Sequence, residues 1–246
     1  MTDQTPTPLP DPEFVRERLA QVRKNRGYLL PNQGLMAAAM PDFQDAAAVF
    51  YKAVTLTDRH LTPAEREFLW LAILVTAEEH VGTHHVHLFR ETGGTDAQAE
   101  ICWRLVGFAR GAGSYAFLAD HWQPYFPGVP AIESYQRAAL PLIADCPEVD
   151  EGLARLALIA VQTARSDLWA LGAEIEAGYR ANVPEGKMAE AMSLVVWPCG
   201  MNRLIEGAGV WLDLIQSGRV DASPGFRAWA EQPDQTGFKI SDTHEG

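Results

Sequence analysis

Cysteine is scarce in this chain. Its 246 residues include three cysteines, Cys102, Cys146 and Cys199, which lie far apart and form no CxxC motif. Such spacing argues against a disulfide framework and favours free thiols in a reducing compartment. Because Cys102 and Cys199 lie in apolar helical stretches, we predict that both are inert core thiols.

Basic residues are few as well: 20 Lys and Arg stand against 32 Asp and Glu, a formal net charge of −12. A chain without a basic footprint is not expected to bind nucleic acid or an anionic membrane surface. The longest apolar run, FLWLAILVTA at 68–77, is shorter than the ~20 residues of a membrane span. No basic stretch followed by an apolar run opens the chain, so the sequence predicts no signal peptide and a cytoplasmic protein.

Alternating β-branched patterns are also scarce, whereas Ala and Leu are abundant and helix-start signals recur. In LTPAEREFLWLAIL, Thr62 stands at the N-cap, Pro63 at the first helical position and Glu65 three residues after the cap. This arrangement is typical of a capping box. The whole pattern predicts about eleven helices and no sheet, and therefore an all-α fold.

Two parts of the chain also resemble each other when the sequence is shifted by nearly 90 residues. Residues 72–94 align with 159–181 at a shift of 87, and residues 109–122 align with 198–211 at a shift of 89. A period of this length indicates a domain duplication. We therefore predict a tail at 1–11, a first helical half at 12–125, a second related half at 126–231 and a flexible tail at 232–246.

Four of the seven histidines lie in EEHVGTHHVHLF, residues 78–89. His80, His84 and His87 are spaced i, i+4 and i+7, which predicts one shared helix face, whereas His85 is expected to face solvent. Three interpretations remain open. The three spaced histidines bind a divalent metal such as zinc, they perform metal-free acid–base chemistry, or they form a polar cluster left after redox residues were lost.

Residues 28–122 resemble the superfamily of carboxymuconolactone decarboxylase and the alkylhydroperoxidase D-like (AhpD-like) proteins. In that family, a glutamate in an Arg-Glu pair is followed about a dozen residues later by Cys-x-x-Cys-x-x-x-His, and seven residues further by glycine. The same frame here places Glu67, His87 and Gly94 at the family positions. His80 and Thr83 occupy the two cysteine positions, and the gap before the first of them is one residue longer.

The resemblance implies an AhpD-like helical bundle with two related halves, a homo-oligomer, and a site at Glu67, Thr83, His80 and His87. In the family, the glutamate and the last histidine act in a proton relay. Disulfide peroxidase activity is not expected, because it needs one low-pKa thiolate and a second, resolving thiol. The second half supplies neither, since the shift of 87 aligns His80, Thr83 and His87 with Asp167, Ala170 and Glu174.

We therefore expect a thiol-free, metal-free or metal-assisted site for a small organic substrate, with lyase- or decarboxylase-type proton transfer. The alternative is a non-catalytic binding or scaffold protein that descends from an AhpD-like peroxidase. Glu67 is equally compatible with a surface ion pair to Arg66 or Arg90. Asp167 and Glu174 are expected on a solvated helix face. An enzyme should show a pocket where Glu67 and the histidines converge, and a scaffold should show them dispersed or packed shut.

Overall fold

Proline at the first helical position begins several helices, as the sequence pattern predicts. Asp11 accepts hydrogen bonds from the backbone amides of Glu13 and Phe14, both at 2.9 Å, and α1 then runs over Pro12–Arg26. The predicted capping box is confirmed: Thr62 Oγ1 accepts from the Glu65 amide, and Glu65 Oε2 accepts from the Thr62 amide at 2.8 Å. These local bonds satisfy amides that the helix itself leaves unpaired.

The computed structural model describes residues 8–235, which form two compact units divided between residues 57 and 58. The first unit contains α1, α2 (Pro31–Ala39), α3 (Pro41–Tyr51) and a π-helical turn at Lys52–Leu56. Arg18 of α1 donates to the Pro41 carbonyl at 2.8 Å and forms an ion pair with Asp45 of α3. These bonds hold α1 beside α3.

The second unit is a bundle of helices joined by short turns. In chain order, it contains α4 (Pro63–Ala77), α5 (Thr83–Glu91), α6 (Asp96–Arg110), α7 (Gly113–Phe117), a π-helical turn (Leu118–Trp122), a 3-10 turn (Gln123–Tyr125), α8 (Ala131–Ala144), α9 (Glu151–Arg165), α10 (Leu168–Arg180), α11 (Glu185–Leu194), α12 (Val196–Cys199), α13 (Met201–Gln216) and α14 (Pro224–Ala230). No strand occurs within 8–235. The all-α prediction is confirmed, and eleven of the α-helices have nine or more residues.

Helices α4 and α9 lie at the centre of this bundle. Residues 66–74 of α4 and 154–164 of α9 are all buried. Helix α9 packs directly against α4 and also contacts α6, α10, α11 and α13. A helix that is apolar all round is stable only when neighbours cover it on every side, so α4 and α9 define the core.

The division between units differs from the predicted division of the chain. The compact units separate between residues 57 and 58, whereas the predicted halves meet between 125 and 126. Helix α4 of the first predicted half packs on α9 of the second, and the two contribute to one hydrophobic core. The predicted start at residue 12 coincides with the start of α1. Residues 1–7 and 236–246 of the predicted tails lie outside the described residues.

Helices α4 and α9 have the same length and the same type of ends. Each has 15 residues, and their N-caps, Thr62 and Asp150, are 88 positions apart. Each ends at a non-glycine residue in the left-handed conformation, Glu78 (φ 55°) or Ser166 (φ 56°), again 88 apart. The two central helices therefore have the same local design.

The helices that follow them, α5 and α10, end in the same way as each other. Their C-caps, Thr92 and Ala181, are 89 positions apart. The next residues, Gly93 and Asn182, both have positive φ. Within the described part of the chain, no helix combines the length and the apolar composition needed to cross a bilayer.

Candidate functional site

Glu67 and His85 form a buried hydrogen-bonded pair between α4 and α5. The Nδ1 atom of His85 lies 2.8 Å from Oε2 of Glu67. Glu67 is 4% exposed and His85 is 2% exposed. The prediction that His85 faces solvent is wrong. Glu67 does lie in ion-pair contact with Arg66, one of the two partners considered, but it is buried and not at the surface.

The pair is enclosed by an aromatic ring and a cation. The Trp70 ring stacks on His85, with centroids 4.3 Å apart and planes inclined by 16°. Arg66 Nε lies 3.6 Å from Glu67 Oε1, while Arg66 Nη1 donates to Asp58 at 2.7 Å. Trp70 Nε1 is buried without a hydrogen-bond partner among the described residues. Such an arrangement fixes α5 against α4 and leaves almost none of the pair's surface exposed.

The histidine cluster does not share one helix face. Helix α4 ends at Ala77, Glu78 adopts a left-handed conformation, and α5 begins only at Thr83. His80 therefore lies in the turn before the helix, outside the spacing that the sequence suggested. On α5 itself, the buried residues are His85 and Phe89, and these two are spaced i, i+4 on one side. Phe89 is the large aromatic residue of α5, and His85 lies one helical turn before it. This spacing is the sequence signal that could have identified His85 as the buried histidine.

The other predicted residues lie in different places. His87 is on the exposed side of α5, where its Nε2 lies 3.0 Å from Glu91 Oε1, four residues away. His84 is half-buried, and its ring centroid lies 4.1 Å from that of His85. Over residues 8–235, no group of three or more His, Cys, Asp or Glu side chains is arranged to hold a metal ion. The predicted ligands His80, His84 and His87 are thus not assembled as a metal site.

A cavity of about 500 Å³ lies beside the turn between α4 and α5. Its apolar surface comes from three helices and includes Leu71, Leu74, Val75, Val86, Phe89, Ala99 and Trp103. Trp103 is 54% exposed and forms an outer wall. A concave apolar surface of this size suits a small organic molecule.

Polar groups lie along one side of this cavity. They are the side chains of the turn, of the first residue of α5 and of one residue near its end: Glu78, Glu79, His80, Thr83 and Arg90. Glu79 Oε1 accepts from the Val81 amide at 2.7 Å, which holds the turn. A Cβ added at Gly82 would come within 2.7 Å of the methyl groups of Leu74, so a larger residue there would displace the Leu74 side chain.

Two of the four predicted catalytic residues, His80 and Thr83, line this cavity, and Glu67 and His87 do not. Leu71, one helical turn after Glu67, and Val86, the residue after His85, are part of its wall. The buried pair therefore lies behind the wall of the cavity. The structure brings His80 and Thr83 together, and brings Glu67 together with a histidine that the sequence did not single out.

Helices α9 and α10 contain a second buried pair of ionisable groups. Arg155 Nη1 lies 3.1 Å from Glu174 Oε2, and Glu174 is fully buried. Glu174 was expected on a solvated face, and this prediction is wrong. Burial raises the pKa of Glu174, and the neighbouring Arg155 guanidinium opposes that rise. Asp167 instead caps α10 by accepting from the Ala170 amide at 3.2 Å.

Two further polar residues border this second pair. Gln162 Nε2 donates to the Tyr135 hydroxyl at 3.1 Å. Burial first, and the charge of Glu174 second, raise the pKa of Tyr135. The tyrosine hydroxyl is therefore neutral at any ordinary pH, and it acts as a hydrogen-bonding member of this cluster.

The three cysteines are free thiols, and none lies at the cavity. Cys102 is fully buried, and this burial raises the pKa of its thiol to about 12. Burial also raises the pKa of Cys199. A thiol with a raised pKa is a poor nucleophile at neutral pH, in agreement with the expectation of inert core cysteines.

Comparison with protein-family models, with curated proteins and with solved structures finds no match to this chain in any of the three.

Proposed function

We propose that this chain is a thiol-free relative of the AhpD-like proteins that takes a small organic molecule into the cavity at the α4–α5 turn. One observation carries the proposal. His80 and Thr83 stand where the resemblance places the two redox cysteines, and both line the same cavity. The position that serves peroxide chemistry in the family is then a binding site here, lined by an imidazole and a hydroxyl instead of two thiols.

The matched helix ends support two related halves in this proposal. The equivalences put Glu67 opposite Arg155, 88 residues later, and His85 opposite Glu174, 89 residues later. Each pair joins the first helix of its half to the second, with the acidic and basic members exchanged. The connecting turns differ: residues 78–82 join α4 to α5, and only residues 166–167 join α9 to α10. The longer turn supplies the polar side of the cavity, so the site belongs to the first half.

The cavity favours a ligand with an apolar body and one polar group. The apolar walls take the body, and His80, Thr83 and Arg90 offer hydrogen-bond donors at the turn. An imidazole carries both a donor and an acceptor nitrogen, so His80 can exchange hydrogen bonds with the polar group of a bound molecule. Glu67 and His85 then act as positioning residues, because they hold the two helices that form the wall.

Binding without catalysis is the second candidate. It is favoured by the positions of Glu67, which is buried, and His87, which is exposed on α5: neither of the residues that match the family's proton relay lines the cavity. A homo-oligomer remains part of the proposal that comes from the resemblance.

The binding proposal predicts different effects for substitution of His80, in the turn before α5, and of His87, on the exposed side of α5. Benzoate, phenol and benzylamine share a ring and differ in the polar group, and saturation-transfer NMR measures the affinity of each. His80→Ala should weaken the best of the three by about tenfold, the effect of ~1.4 kcal/mol, because a polar partner at the turn is lost. His87→Ala is the matched control and should change affinity less than about twofold, because His87 is exposed and away from the cavity.

A cavity-filling variant completes the experiment. Val86 is half-exposed and lines the cavity, so Val86→Phe should abolish binding while the fold is kept. Failure of all three compounds to bind would contradict the proposal, as would binding that survives Val86→Phe. Conversion of a bound compound by the wild type, lost in His80→Ala, would favour the enzyme over the binding protein.

A further inference from the structure

A second cavity, of about 410 Å³, lies between α11, α13 and α14. It shares no lining residue with the cavity at the α4–α5 turn. Every residue of its wall is apolar or glycine, and three of them are aromatic: Trp211, Phe226 and Trp229. The space is open to solvent on one side, so it is accessible to a molecule from outside without unfolding.

The indole N–H of Trp211, one of the aromatic residues of the wall, is hydrogen-bonded outside the cavity. Trp211 Nε1 donates to the Tyr179 hydroxyl at 3.0 Å, and that hydroxyl donates to Glu185 Oε1 at 2.6 Å. The same Glu185 oxygen accepts from the Ser223 amide at 2.9 Å, at the start of α14. The indole is thus held by hydrogen bonds on one side and presents only its ring to the cavity.

The aromatic rings surround the space at different angles. Trp211 and Phe226 have centroids 4.8 Å apart and planes inclined by 32°, and Phe226 meets Trp229 edge-on at 5.9 Å. Small residues are part of the same wall: Ala189 and Ala208 line the cavity, and a Cβ added at Gly225 meets no atom within 4 Å. Ring faces and edges in this arrangement complement another aromatic ring.

We propose that this cavity binds an uncharged, flat aromatic molecule of about two rings. A charged or strongly polar ligand would lose its hydration without gaining any hydrogen-bond partner, because the wall offers none. A volume of about 410 Å³ lies in the range of pockets for single small molecules. The volume of the cavity and the lack of any polar lining residue together favour one neutral small molecule as its occupant.

The test uses N-phenyl-1-naphthylamine, a neutral aromatic probe whose fluorescence rises in apolar surroundings. We expect saturable binding at one site per chain, with energy transfer from tryptophan, since Trp211 and Trp229 line the cavity. Ala208→Phe and, separately, Ala189→Phe fill the cavity and should each weaken binding at least ~10-fold. Val86→Phe fills the other cavity and should leave probe affinity within about twofold.

Circular dichroism and thermal unfolding establish that each variant is folded, and two independent filling variants keep the test valid if one of them is not. Absence of saturable binding to the wild type overturns the proposal. So does undiminished binding to both filled variants, or a loss that appears in Val86→Phe instead. Sedimentation that shows Ala208→Phe dissociating an oligomer also overturns it, because the cavity would then receive a second copy of the chain.

Discussion

Arg155→Met lowers the free energy of unfolding by about 3–5 kcal/mol, because it leaves the buried Glu174 carboxylate without its cation. Urea unfolding followed by circular dichroism measures the change. Arg219→Met is the matched control: Arg219 pairs with Glu176 at 2.8 Å but is half-exposed, so its loss should cost about 0–1 kcal/mol. Equal costs for the two variants would contradict a buried, energetically coupled pair.

A double variant separates the pair from its surroundings. Arg155→Met with Glu174→Leu removes both charges together, and most of the lost stability should return, because no buried charge then remains without a partner. The recovery should be incomplete, since Arg155 also contacts Glu151 Oε1 at 3.2 Å and the Gln136 carbonyl. A double variant that is less stable than Arg155→Met alone would mean that the carboxylate is favourable without the guanidinium.

The same substitution should make stability depend on pH in a defined direction. Burial raises the pKa of Glu174, and Arg155 is the largest influence that lowers it; without Arg155 the folded-state pKa rises further. A carboxyl with a raised folded-state pKa contributes stability that is present below its unfolded pKa and is lost as pH rises through the folded value. The loss of unfolding free energy caused by Arg155→Met should therefore be smallest near pH ~4, the ordinary range for the pKa of a glutamate, and largest at neutral pH.

His85→Ala should lower the free energy of unfolding by about 2–4 kcal/mol, far more than His87→Ala, which should change it by no more than about 0.5 kcal/mol. The first substitution removes the ring that stacks on Trp70 and leaves Glu67 buried without its hydrogen-bond partner. The second removes an exposed imidazole whose Glu91 partner is also exposed. Thermal and urea unfolding of the two variants give the comparison within one helix.

A conservative variant of the partner refines this result. Glu67→Gln keeps an amide within reach of the imidazole, so it should cost clearly less than His85→Ala. If His87→Ala were the more harmful of the two histidine variants, the buried pair would not be the element that joins α5 to α4. If His85→Ala abolished binding at the cavity while His80→Ala did not, the roles of the two histidines would be exchanged.

The two buried pairs differ in the chemistry that their side chains allow. Helices α4 and α5 are joined by a histidine–glutamate hydrogen bond, and helices α9 and α10 by a guanidinium–carboxylate pair. A guanidinium does not release its proton in proteins, so the second pair is suited to holding helices together and not to transferring protons.

Local signals in the sequence determined where helices begin and which chemistry is absent. Thr62, Pro63 and Glu65 specify a helix start from side chains within three residues of one another, and such bonds do not depend on the rest of the fold. The lack of strand patterns determined the all-α class. The distant cysteines and the absence of CxxC argue by themselves against disulfide peroxidase chemistry at His80 and Thr83, since neither side chain can form a thiolate.

Only the tertiary structure decided which histidine is buried and which carboxylate is paired. The spacing of His80, His84 and His87 suggested one face, but the turn at 78–82 ends α4 and places His80 outside α5. Burial on α5 depends on Trp70 of another helix, and the burial of Glu174 depends on Arg155, nineteen residues away. Neighbouring residues determine where a helix begins, whereas the burial of a side chain depends on helices from other parts of the chain that pack against it.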